Sequence, residues 1–350
     1  MTTKKRRTEI SILNLLFCLL VVWIHCCSHP ITVLDRSSWQ FALILALQRL
    51  AFVSVHGFFF LSGVKLTLGG GTQSLGRYWL RRGKAIFLPY LLAVFLYYIF
   101  FVWRQYFPFS LTDLAGYAVR GDLAAPFYFV IALAQFVLLT PLFRWLAKRW
   151  SPVILLPLAY GITILSAQYF NEVLHLFSPA LNFAYSDRVF TSYLFYYLAG
   201  CCAGQYYDRF QEMLKKNTGL LGVCALSFAA ADVFVSHRIM ADGIAFSCPE
   251  LIRSLYLGSA ILALYALAIR VPGELPALVQ RMDRASYLVY LYHALVITCF
   301  NTLADRLGIT KVSLQFLLRL AVVYTVTFLG CMLWQWGYGR VKQCLRPQAR

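Results

Sequence analysis

What most constrains this chain is a succession of apolar runs, each about as long as a helix must be to cross a bilayer core of about 30 Å. They fall at 10–28, 41–65, 85–103, 126–146, 152–168, 188–205, 218–236, 251–269, 285–303 and 314–336. Lipid cannot hydrogen-bond a peptide group, so runs of this length read as helices. The expected fold is all-α: a polytopic transmembrane bundle of about ten spans, since each needs about 20 residues. Residues 1–340 read as a single transmembrane domain and 341–350 as a short basic cytoplasmic tail. Only 13% of the residues are charged, against about 25% in soluble domains. A water-facing shell cannot be built from that.

The net charge of +18 would point to nucleic acid in a soluble protein. In a membrane protein it reflects the bias of Lys and Arg toward cytoplasmic loops, so no nucleic-acid partner is expected. With the N-terminus placed inside, most of the 32 Lys and Arg fall in the inner segments, which predicts an even number of spans and both termini in the cytoplasm. The basic stretch at 4–7 and the first apolar run resemble a signal peptide. No small-residue cleavage site follows, so the run reads as an uncleaved first helix. The 10 cysteines include no C-x-x-C pair and mostly sit within apolar runs. They read as small hydrophobes, with no metal site.

Ionisable groups inside a membrane are costly and mark functional paths by default. At about 1.5 Å per residue, His25 would stand about 22 Å from the inner surface and His293 about 12 Å from it. Arg49 would lie about 12 Å below the outer surface, and His56 about 8 Å above the inner one. Ser11, Asn14, Cys18 and His25 share one helical face, as do Arg49 with His56 and Ser286 with His293. Three helices thus each present a polar stripe, either to one another or to a polar cavity. A lone histidine is most simply an interhelical hydrogen-bonding group; the set together points to a site. Histidine also exchanges its proton near neutral pH, as a general base must. Asp232 and Arg319, both within spans, would pair with each other.

The inner loop with Gly69–Gly71 carries Arg77, Arg81, Arg82 and Lys84. It lacks the strand and Lys-Ser/Thr of a P-loop, and reads as a flexible basic loop that can meet an anionic ligand or lipid headgroups. His237 and Asp242 match the H-x4-D spacing of glycerolipid acyltransferases, but fall in an outer loop and read as coincidence.

Several segments resemble the membrane acyltransferase-3 family, in order and over nearly the whole chain. They are Arg7 through Asn14 to His25, then His56-Gly57-Phe58-Phe59-Phe60-Leu61-Ser62-Gly63, then Arg81-Arg82-Gly83-Lys84 before Pro89-Tyr90. Phe127-Tyr128-Phe129 with Pro141, Tyr197-Leu198-Ala199-Gly200 and Ser286 through Tyr290 to His293 follow. The resemblance implies an integral membrane enzyme of about ten helices that moves an acyl group, commonly acetyl, from cytoplasmic acyl-CoA to a hydroxyl of an extracytoplasmic glycan or lipid-linked sugar. Acyl-CoA would be a co-substrate, with no bound cofactor, and the expected location is a bacterial cytoplasmic membrane. Carried onto this chain, His25 is the essential histidine, with Arg81 and Lys84 as the basic pair on the CoA side. Arg77 and Arg82 extend that donor-binding group; Asn14, Arg49, His56, Tyr290 and His293 are substrate-binding or relay candidates. Two positions depart from the pattern: Asn14 stands where the family usually has Arg or Lys, and Lys84 where Arg is commoner. No esterase-like domain follows, so transfer would occur within the bundle. The expected path is a ladder, with the basic loop inside, His293 and Arg49 between, and His25 near the outer surface. The competing readings are a transporter or flippase for a small sugar, lipid or acid, which usually shows inverted repeats absent here, and a non-catalytic partner in envelope assembly.

Overall fold

The computed structural model describes residues 7–68 and 74–344, and these contain helices but no strand. The chain runs through α1 (Thr8–Val33), α2 (Trp39–Ala51), α3 (Val53–Leu68), α4 (Leu75–Trp103), α5 (Leu111–Arg120), α6 (Tyr128–Leu138) and α7 (Thr140–Arg149). It continues through α8 (Pro152–His175), α9 (Leu194–Gln205), α10 (Tyr207–Lys216), α11 (Thr218–Asp242), α12 (Pro249–Ala268), α13 (Ala277–Arg306) and α14 (Val312–Cys344). Three 3-10 turns, Ala125–Phe127, Ser186–Arg188 and Phe190–Tyr193, lie between helices. Among the described residues, eight helices, with α2 and α3 taken as one, are long and apolar enough to cross a membrane. Pairing α5 with Ala125–Leu138, bent by 56°, makes nine. The Gly69–Gly71 run and most of the expected basic tail lie outside the described residues.

Two of the runs expected to span are not single long helices, for local reasons. In the run 126–146, Pro141 has no N–H to give the carbonyl of Val137 and disfavours a continuous helix. The helix stops at Leu138 and restarts at Thr140, and the Trp79 indole of α4 supplies the missing donor, 2.9 Å from the Val137 oxygen. In the run 188–205 the first residues form 3-10 turns, and the α-helix proper is only 12 residues. That is about 18 Å of helix against a core of about 30 Å. The second run is also divided, at Phe52 between α2 and α3. There the Leu50 carbonyl accepts from the Tyr256 hydroxyl at 2.6 Å, and the Ala51 carbonyl from Ser54 at 2.8 Å.

Helix directions follow from which residues meet. Asn14 meets Asp283 and Cys18 meets Ser286, so α1 and α13 run parallel. Tyr287 bonds Ile86, and Tyr97 bonds Leu291 and Leu295, so α4 runs parallel to both. Helix α3 is antiparallel to α1, since Phe58 packs on Phe17 while Lys65 reaches Asn14. One end of the bundle therefore gathers the starts of α1, α4 and α13 with the end of α3. Arg7 and Glu9 of that end meet Tyr207, the guanidinium 4.3 Å over its ring and the carboxylate accepting its hydroxyl.

The closest helix pairing is α3 on α9, and glycines make it. A Cβ at Gly63 would strike the Tyr197 carbonyl, at Gly200 the Phe60 carbonyl, and at Gly204 the Val64 carbonyl. Small residues let helix backbones meet in lipid, where packing replaces the hydrophobic drive. Around the contact, Phe59 stacks on Tyr193 at 4.4 Å, and Phe136 on Tyr197 at 4.2 Å. Gly200→Leu is expected to abolish monodisperse protein in size-exclusion chromatography. Gly222→Leu, where a Cβ meets nothing within 4 Å, should leave the profile unchanged.

Candidate active site

The parallel register of α1 and α13 sets the site. His25 and His293 face each other with ring centroids 5.1 Å apart. His293 is fully buried, with Nδ1 3.1 Å from the Val289 carbonyl. A carbonyl only accepts, so Nδ1 carries the proton and Nε2 is the acceptor nitrogen. That Nε2 is buried and has no hydrogen-bond partner among the described residues. His25 is half-buried and lines a cavity of about 360 Å³ with Val21, Ile24, Phe52, Val55, Ala125, Tyr128, Asp187, Arg188 and Tyr290. The volume lies within the usual range of small-molecule sites. Tyr290 turns its hydroxyl to the Pro126 carbonyl, bracing the wall beside His25.

The ladder expected from the sequence is corrected here. His293 is not below His25 but level with it, because α13 starts at Ala277 rather than at residue 285. Arg49 and His56 are not among the residues lining the cavity; both stand within electrostatic reach of Arg253 of α12 instead. Arg49 reaches Met240 Sδ at 3.6 Å, within electrostatic reach of Asp232, Glu250 and Arg253. His56 packs on Tyr196 at 4.6 Å and Tyr193 at 5.5 Å. The expected Asp232–Arg319 pair does not form. Asp232 faces Arg253 at 3.6 Å, while buried Arg319 bonds the Asn301 and Gln315 side-chain oxygens and the Cys26 carbonyl. Those oxygens hold α1, α13 and α14 together around a cation whose bonding is complete without a carboxylate.

The basic residues Arg77, Arg81, Arg82 and Lys84 occupy the first turns of α4. Arg77, Arg81 and Lys84 are exposed, while Arg82 lies over the Tyr78 ring at 5.7 Å. Arg144 of α7, which the sequence reading passed over, covers the same ring at 5.1 Å. A further cation, Lys65, stands at this end beside Asn14. Its amide accepts from Lys65 Nζ at 3.4 Å and donates to the buried Asp283 at 2.7 Å. Since α1, α4 and α13 are parallel, the Asn14–Asp283 pair lies about ten residues, about 15 Å, along the axis from the His25 level, and Arg77 about fifteen residues, about 22 Å.

The segment 186–193 supplies Asp187 and Arg188 to the cavity lining, and sequence reasoning read its part from residue 188 only as the start of a span. Irregular backbone at membrane depth survives where protein satisfies it or where it lines a cavity, and this segment does both. Gln135 of α6 donates to the Arg188 carbonyl at 2.6 Å and accepts from Phe190 N at 3.2 Å. Tyr193 donates to the Asp187 carbonyl at 2.8 Å, and Thr163 and Ser166 of α8 bond Thr191 and Ser192. The signal that would have found it is the polar triplet Ser186-Asp187-Arg188 directly before an apolar run.

The acyltransferase-domain family profile matches residues 7–336, and the chain belongs to this family of membrane acyltransferases. The chain is also similar to a Bacillus subtilis (strain 168) protein named "Putative membrane-bound acyltransferase YfiQ", 23% identical over 298 residues, covering 82% of this chain and 80% of that protein. No solved structure matches. This is a multi-pass membrane protein, and its chemistry is acyl transfer.

Gln135→Leu removes both side-chain bonds to the wall segment, and unpaired buried groups cost about 1–3 kcal/mol each. The variant is expected to melt several degrees lower and to be cut within residues 186–193 by added protease. An unchanged melting temperature and cleavage pattern would contradict this account of the wall.

Proposed function

We propose that this enzyme moves an acetyl group from cytoplasmic acetyl-CoA to a hydroxyl on an extracytoplasmic glycan or lipid-linked sugar, with His25 as the catalytic base. The observation that carries the reading is His25 lining a cavity of small-molecule size, with its ring 5.1 Å from that of His293. The hydroxyl oxygen of the acceptor bonds to the thioester carbonyl carbon while His25 takes the hydroxyl proton. The C–S bond then breaks, and the departing sulfur takes up that proton, giving the ester and free CoA. A positioned base typically contributes about 10²–10⁴-fold.

The donor enters this reading from the basic end. Arg77, Arg81, Arg82 and Lys84, with Arg144 and Lys65 near them, supply cations for the phosphates of CoA. An extended pantetheine arm can cover the axial separation between that end and His25. Lys65 bears on the departure at Asn14, because it brings a cation to the place where the chain itself carries an amide. Both termini are in the cytoplasm in this reading, the His25 cavity opens toward the outer half, and the membrane is the bacterial cytoplasmic membrane.

His25→Ala is expected to lower transfer of labelled acetyl from acetyl-CoA to membrane glycans and lipids by at least about 10²-fold, with expression and elution volume unchanged. Full activity in that variant would sink the reading. His293→Ala should cost less, since it removes the partner and not the base. The double change Arg81→Ala with Lys84→Ala should raise the donor KM about tenfold, about 1.4 kcal/mol, with kcat at saturating donor little altered. A lower kcat at unchanged KM would place those residues elsewhere in the cycle.

A further inference from the structure

One wall of the cavity carries a charge that the acyl-transfer step does not use. Arg188 lines the same cavity as His25, with a side chain only 15% exposed. Its guanidinium lies over the Tyr185 ring at 4.5 Å, and Tyr185 is itself anchored by its hydroxyl to Asp122 at 3.2 Å. Nε and Nη1 are both buried with no hydrogen-bond partner among the described residues. The nearest carboxylate is that of Asp187, 3.8 Å from Nε and more than half exposed, too far for a hydrogen bond. A buried charge without acceptors is costly, and nothing about the fold requires it: the Gln135 bond to this residue goes to its backbone carbonyl. The rest of the lining is Val21, Ile24, Phe52, Val55 and Ala125, with two tyrosines, His25 and Asp187, whose carboxylate is the exposed one just described and leaves the guanidinium's buried N–H groups unfilled. A guanidinium held off its own carboxylate, with free N–H groups in a largely apolar cavity, is built to receive an anion.

We infer that Arg188 binds an anionic group on the acceptor, a carboxylate or a phosphate, and so selects acidic sugars or phosphate-linked sugars over neutral ones. This rests on the acyl-transfer reading of the His25 cavity and adds the acceptor's charge to it. Bound through its anion at Arg188, the acceptor places a neighbouring hydroxyl within the same cavity as His25. Arg is suited to this role over Lys because its donors are fixed in a plane and it is less strongly hydrated. Arg188 here is a specificity residue acting in the ground state, before any donor is present.

The test is thermal unfolding of the full chain in lipid nanodiscs, followed by tryptophan fluorescence at constant ionic strength. Sodium glucuronate, inorganic phosphate and neutral methyl glucoside are titrated without donor. At least one anion should raise the melting temperature saturably, and methyl glucoside should not. Arg188→Gln should weaken the half-saturation point at least tenfold, with Arg188→Lys in between. A response to glucuronate alone assigns a sugar acid, and a response to phosphate a phosphate-linked acceptor. The inference is overturned if neither anion acts more strongly than the glucoside, or if Arg188→Gln responds as wild type, even where that variant turns over slowly. His25→Ala should keep the anion response and lose acetyl transfer. Retained transfer in His25→Ala would instead remove the catalytic reading and leave the anion site standing.

Discussion

The structure depends on one constraint: lipid offers no hydrogen bonds, so every backbone carbonyl set free by a break must find a donor inside the protein. Tyrosine hydroxyls do most of this. Tyr256 takes Leu50 at the α2–α3 break, Tyr193 takes Asp187 in the wall segment, and Tyr290 takes Pro126 at the start of the α6 region. Tyr97, Tyr287 and Tyr324 bind carbonyls of neighbouring helices and fix their register. The 22 tyrosines therefore explain how a bundle with broken helices persists, and the breaks are where the cavity forms. Phe52 and Arg188 both line it, and both lie where regular helix is interrupted.

The parallel set α1, α4 and α13 gives the site its direction. It puts cations at one end and His25 with His293 at another level, so donor phosphates and the reacting carbonyl can be held by different parts of the same three helices. Antiparallel α14 locks α13 to α1 through Arg319 and Tyr324. Asn14, bonded on both sides by Lys65 and Asp283, joins α1, α3 and α13 at the basic end. At the cavity, the Arg188 Nε and Nη1 remain buried without partners among the described residues. Unpaired buried polar atoms in a native fold call for an explanation, and an anionic acceptor in the cavity would supply one for the Arg188 guanidinium.

Much of this was legible in the sequence, and the losses have physical causes. Apolar run length gave the helical class and most spans, because a run that long has one stable form in lipid. It could not distinguish a span from a run interrupted by Pro141 or begun by the polar triplet at 186–188. The stripe Asn14, Cys18 and His25 was correctly assigned to one face, and all three meet α13. His293 was misplaced in depth because α13 begins eight residues before its apolar part, through the polar residues Gln280–Arg284. Arg49 and His56 both reach toward Arg253 of α12, and neither lines the cavity. Arg144 and the Lys65–Asn14–Asp283 contact arise from tertiary pairing that no local pattern announces.

The most direct test of the central claim is an electron cryomicroscopy map of the full chain with an uncleavable thioether analogue of acetyl-CoA. The account requires the nucleotide phosphates beside Arg77, Arg81, Arg82 and Lys84, with the arm running along α1, α4 and α13. The acyl carbon would then lie in the cavity beside His25, within attack distance, about 3–3.5 Å, of an acceptor hydroxyl held there. A CoA bound at the opposite end of the bundle, or an acyl end outside the cavity of His25 and Tyr290, would contradict it.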